Sequence, residues 1–162
     1  MATLSLRSHF AHLPPPAECL AILLGSAELL LFGLGGLTDP KAFAAGYGLP
    51  ITSSSPTPEP QPQPPASDPE PLPPPQPKAL IRALCARNLQ NGALLLTFAL
   101  YTRDRRSLGF AVLLGLITTV ADTVIVWKSG VRDLVVGHAV GVVNCLAVGG
   151  GLLLWGRGDA WW

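Results

Sequence analysis

Four long apolar runs dominate the chain, at roughly residues 17–37, 80–101, 108–127 and 134–155. Each is close to the ~20 residues a helix needs to cross a ~30 Å hydrocarbon core. None alternates with a period of two, which excludes a closed β-barrel. In lipid every backbone N–H and C=O must be bonded within its own segment, so each run is expected to be a helix. The links between the last three, "TRDRRS" and "KSGVRD", are short enough to force antiparallel neighbours. The pattern predicts an all-α fold, an integral membrane four-helix bundle.

The first run, "AECLAILLGSAELLLFGLGGL", is longer than the ~7–15 residues of a signal-peptide core and contains Glu28, so it reads as a retained span. After it comes "LTDPKAFAAGYGLP". Thr38 or Asp39 can cap a helix there, Pro40 suits its first turn, and Gly46 or Gly48 can end it. A short helix on the membrane surface follows, with Phe43 and Tyr47 at the interface. The next stretch, "ITSSSPTPEPQPQPPASDPEPLPPPQPK", holds most of the 17 prolines. Proline removes donors and fixes φ, and nothing here could bury a core. It is expected to be a disordered Pro-rich loop between helices 1 and 2, whose deletion over 53–76 leaves the bundle folded. It carries neither orientation of the usual SH3-ligand pattern. The chain then divides into an N-terminal segment (1–16), the first transmembrane helix with the interfacial helix (17–51), the tether (52–78), three transmembrane helices (79–156) and a C-terminal tail (157–162).

Composition agrees with a membrane protein. Hydrophobic residues make up 49% and charged residues 13%, against about 25% charge in soluble domains. A net charge of +1 gives no electrostatic case for nucleic acid. Cys19, Cys85 and Cys145 are scattered through apolar runs, without metal-ligand spacing, and read as buried thiols. No phosphate loop, nucleophile elbow, dinucleotide fingerprint or HExxH motif is present, and no cofactor or metal is implied. Arg7, Arg103, Arg105, Arg106 and Arg157 fall on one side of the membrane, against Lys41, Lys78, Lys128 and Arg132 on the other. The positive-inside rule then places both termini in the cytoplasm, and an endomembrane such as the endoplasmic reticulum is the expected location.

Candidate chemistry lies inside the spans. Charge at membrane depth costs about 2.5–3.5 kcal/mol on insertion scales, so such groups usually face a bundle interior. Arg87, Gln90 and Asn91 form one stripe on the second span; Gly115, Thr118, Thr119 and Asp122 share a face of the third. His138 and Gly141 share a face of the fourth with Asn144 close by, and Ala21, Gly25, Glu28 and Gly35 line up on the first. With alternating topology, Arg87, Asp122 and His138 reach a similar depth below one interface. Asn91 is deeper and Glu28 near mid-membrane. Arg82 is shallower, able to snorkel, and with Arg87 balances Glu28 and Asp122. Two readings follow. Arg87–Asp122 is a structural ion pair completed by His138 and Asn91. Alternatively, Arg87, Asp122 and His138 are catalytic groups on a pocket floor, with Glu28, Asn91 and Asn144 binding substrate.

The stretches "DPKAFAAGYGLP", "RALCARNLQNGALLL", "ADTVIVWKSG" and "GHAVG" resemble the small membrane proteins grouped as domain of unknown function 4267, similar in layout to DoxX-like proteins. Pro40, Phe43, Tyr47, Gly48, Leu49 and Pro50 match that family's first element, with Tyr in place of Phe. Arg82, Arg87 and Gly92 match the second, Asp122 the third and His138 the fourth. Asn88 and Cys85 depart from it, standing where the pattern has Asp and Gly. The resemblance implies a four-helix membrane protein without an established common activity, whose fungal members occur among genes for secondary metabolites.

The expected function is a structural or accessory role in a membrane, possible in secondary-metabolite biosynthesis. The alternative is a membrane-embedded isomerase or cyclase acting on a lipophilic metabolite. Proton-coupled transport through Glu28 is a third reading. The expected partners are the lipid bilayer, a lipophilic small molecule, and other membrane proteins or a second copy of the chain.

Overall fold

The computed structural model describes residues 16–49, 77–128 and 132–154. These residues are almost entirely helical, with no strand among them. Helix α1 runs Pro16–Thr38, passing from α-helical (Pro16–Ser26) to π-helical (Ala27–Gly35) and back over Gly36–Thr38. The short α2 is Pro40–Gly46. Helix α3 is Pro77–Leu96 with a π-helical end, Thr97–Tyr101. Helices α4 and α5 are Arg105–Lys128 and Arg132–Leu154.

Three of these, α1, α4 and α5, are long and apolar enough to cross a membrane. Helix α3 is long enough, but Arg82, Arg87, Asn88, Gln90 and Asn91 interrupt its middle, so it does not match them in apolarity. Large apolar side chains such as Leu23, Leu114, Ile117 and Val136 are more than 60% exposed on the outer surface. That distribution suits a hydrocarbon solvent.

The local signals around α2 hold. Asp39 caps it by accepting from the Ala42 N–H at 3.0 Å, Pro40 occupies the first turn, and Gly48 ends the segment with φ 68°. Thr38 instead donates back to the Gly35 carbonyl. The expected tether falls mostly outside the described residues, and its last two positions, Pro77 and Lys78, already belong to α3. None of the three cysteines forms a disulfide, and Cys85 and Cys145 are buried.

The helices form two pairs. The α4–α5 hairpin has the most extensive contact and α1–α3 the next. Helices α1 and α3 meet backbone to backbone. A Cβ on Gly92 would overlap the Leu29 amide and lie 2.7 Å from the Gly25 carbonyl. Glycine at that position is what lets the helices approach. The two pairs join at one end, where Ala21, Leu95, Ala99, Leu108, Val112 and Leu152 form the core. Toward the other end they diverge, and the π-helical half of α1 has almost no contact with α4 or α5. The result is a wedge-shaped cleft.

The closed end carries an ion pair. Arg105 Nε is 2.8 Å from Glu18 Oε1, and its second nitrogen donates to the Gly151 carbonyl at 2.9 Å. Glu18 is completely buried. One arginine thus ties α1, α4 and α5 together. The turn before it is tight: Arg103 adopts a left-handed φ of 51°, and Asp104 caps α4 through the N–H groups of Arg106 and Ser107. The Ser107 hydroxyl and these amides hold the Asp104 carboxyl below the usual carboxylate range.

Candidate functional site

The cleft encloses about 710 Å³ and is walled by all five helices. Most of its lining is apolar, with Leu20, Leu23, Leu24 and Leu31 from α1 facing Val140 and Val148 from α5. Its polar side chains gather toward the end where the helix pairs diverge. They are Glu28 from α1, Tyr47 after α2, Arg87, Asn88 and Asn91 from α3, Thr118, Thr119 and Asp122 from α4, and His138 and Asn144 from α5.

Arg87 and Asp122 form the centre. One guanidinium nitrogen lies 2.8 Å from Asp122 Oδ2 and the other 3.4 Å from Oδ1, a two-pronged bond across the α3–α4 gap. Asp122 is 7% exposed. Arg87 also donates to the side-chain oxygen of buried Asn88. The Tyr47 hydroxyl donates to Asp122 Oδ2 at 3.2 Å, and the Tyr47 ring packs on His138 with centroids 4.9 Å apart. Phe43 supports Tyr47 from behind at 5.2 Å. Phe43 also packs beside Cys85, and a side chain on Gly36 would strike both.

The six residues singled out in the sequence all line this one cavity. Arg87 and Asp122 are in direct contact, while His138 joins them through Tyr47. Glu28, Asn91 and Asn144 line the same space, Asn144 at its rim with an exposed side chain. Two members of the expected charge balance and polar stripe lie elsewhere. Arg82 and Gln90 are exposed and do not line the cleft, because successive helical positions rotate away from the wall that Arg87 and Asn91 occupy.

Three features went unread. Tyr47 was expected at the membrane interface with Phe43; its bond to Asp122 and its packing on His138 were not foreseen. The signal was an aromatic pair at i, i+4 on a helix too short to stand alone. Asn88 looked like a departure and is instead an acceptor for Arg87. The Glu18–Arg105 pair was missed because Arg105 was counted among the loop charges. Its signal was a carboxylate one turn inside α1, at the same end of the bundle as that loop.

No zinc-like or other cluster of three His, Cys, Asp or Glu side chains occurs among the described residues. Searches of curated proteins and of solved structures give no match. The model of one family does match, over residues 26–152, a span that contains Glu28, Tyr47, Arg87, Asn91, Asp122, His138 and Asn144. This chain belongs to the family described as Domain of unknown function (DUF4267).

Proposed function

We propose that this small membrane protein receives a lipophilic molecule in the cleft between its two helix pairs. The carrying observation is the cavity itself. Its ~710 Å³ lies within the ~300–1,000 Å³ range of small-molecule sites, and it combines an apolar lining with a few convergent polar groups. Several wall residues, Leu20, Leu23 and Leu31 among them, are more than half exposed, so the cleft is open rather than sealed by protein. A ligand can therefore enter sideways from the lipid. Holding such a molecule is an accessory role, compatible with the secondary-metabolite setting that the resemblance implies. On this reading α3 crosses the membrane with the other three long helices, with Arg87, Asn88 and Asn91 turned to the cleft.

A second reading assigns chemistry to the same groups. The Tyr47 hydroxyl is bonded to Asp122 and its ring stacked on His138, which places acid, base and cation at one end of an apolar cavity. That arrangement suits proton transfer on a lipophilic substrate, as in an isomerase or cyclase, with Arg87 holding developing negative charge. Asp122→Asn separates the two. A binding protein retains its ligand when the charge is lost, whereas an enzyme loses turnover and its substrate accumulates in the metabolite profile.

The binding reading is tested by filling the cleft. A side chain at Gly115 or Gly137 meets nothing within 4 Å of its Cβ, and both glycines line the cavity. Gly115→Leu combined with Gly137→Leu should fold normally and lose labelling by a neutral alkyl diazirine in bilayers. Cleft peptides labelled equally in wild type and variant would sink the proposal.

A further inference from the structure

Glu28 holds an unsatisfied bond inside the cleft. Its Oε2 is buried and has no hydrogen-bond partner among the described residues. It stands about 18 Å along α1 from Pro16, near the middle of a 23-residue helix. A buried carboxylate oxygen left unpaired is costly; Glu18 Oε2 is unpaired too, but Arg105 compensates that carboxylate, whereas Glu28 has no ion pair among the described residues.

The neighbouring charges do not supply it. Arg87 is engaged by Asp122 and Asn88. The Arg87 and Asp122 charges cancel, and Arg82 lies outside the cleft. An ionised Glu28 would therefore stand in the cavity wall without a compensating charge from Arg87 or Arg82. A low-dielectric interior favours neutrality, which Glu28 reaches either by taking a proton or by pairing with a cation that carries an N–H, and only the cation also satisfies Oε2 from outside the chain. The surroundings define the rest of it. Asn91 and Asn144 offer amide oxygens on facing helices, and beyond Glu28 the lining turns to leucine.

We propose that the ligand is a lipophilic amine whose ammonium donates to Glu28 Oε2 and whose apolar body lies along Leu20, Leu23 and Leu24. This deepens the binding reading and rests on it. In plain lipid an ammonium stays at headgroup level. Only a carboxylate at depth draws it inward, which makes depth a direct readout.

The test uses the full chain in bilayer nanodiscs at pH 8. The probe is a long-chain alkylamine with a diazirine next to the nitrogen, compared with its N-acetyl analogue. The amine should label the α1 and α3 segments around Glu28 and Asn91 about tenfold more than the acetamide. Glu28→Gln, which keeps the side chain's shape, should bring the amine down to the acetamide level while acetamide labelling persists. Equal labelling of wild type by the two probes overturns the amine assignment and leaves the cleft as a neutral site. Labelling of the cleft by neither probe removes the binding reading and the amine with it. Should Glu28→Gln fail to accumulate, the comparison of the two probes on wild type decides by itself.

Discussion

Replacing Arg87 and Asp122 singly and together is the perturbation whose outcome the geometry constrains most tightly. Two N–H···O contacts of 2.8 and 3.4 Å join the pair, and the side chains are 29% and 10% exposed. A fully buried pair broken on one side costs about 3–5 kcal/mol, and an exposed one about 0–1. The intermediate burial here places each of Arg87→Gln and Asp122→Asn at about 2–3 kcal/mol. The double variant should lose no more than the worse single, because it leaves no uncompensated charge. That corresponds to a coupling of about 2 kcal/mol. Equilibrium unfolding in mixed detergent micelles, followed by circular dichroism, measures all four corners of the cycle. Losses that add would refute the claim that this pair clasps α3 to α4 across the cleft.

Other consequences are sharp. Gly92→Ala should cost about 1–3 kcal/mol, since its Cβ would press on the backbone of Gly25 and Leu29, whereas Gly150→Ala, with nothing within 4 Å, should be near neutral in the same unfolding assay. Arg105→Met leaves Glu18 buried without its cation and should lose about 3–5 kcal/mol, much of it recovered by adding Glu18→Gln. Asp104 has a folded-state pKa below its unfolded value, so its capping contribution is complete above the unfolded pKa and disappears as pH falls through the folded one. Asp104→Asn should therefore flatten the fall in thermal midpoint below about pH 4, and an unchanged acid limb would show that the cap is not coupled to folding.

Much of the architecture was legible because the membrane simplifies it. A long apolar run in lipid has little choice but to be a helix, and short links leave little choice of neighbour. The helix boundaries and the Asp39–Pro40–Gly48 punctuation of α2 followed from local chemistry alone. The proximity of Arg87 and Asp122 also followed, since rise per residue converts sequence position into distance along antiparallel helices. What periodicity could not give was rotation and tertiary contact. It grouped Gln90 with Arg87 and Asn91 although its face turns away, and it did not show that Tyr47 reaches Asp122. Nor does it reveal a π-helical segment. The change over Ala27–Gly35 shifts the phase of everything after Glu28, in a stretch where Gly33 packs directly on the α3 backbone at Leu89. The Glu18–Arg105 pair needed three helices to converge before its partners were neighbours, which no local pattern expresses.

Native mass spectrometry of the full chain, purified from its own membranes in mild detergent, tests the central claim most directly. Wild type should carry a small lipophilic molecule close to one per chain, and the cleft-filled Gly115→Leu/Gly137→Leu variant should carry none. An equally loaded variant, or a wild type that carries nothing but bulk lipid, would contradict a ligand-holding cleft and return the Arg87–Asp122 cluster to a purely structural role.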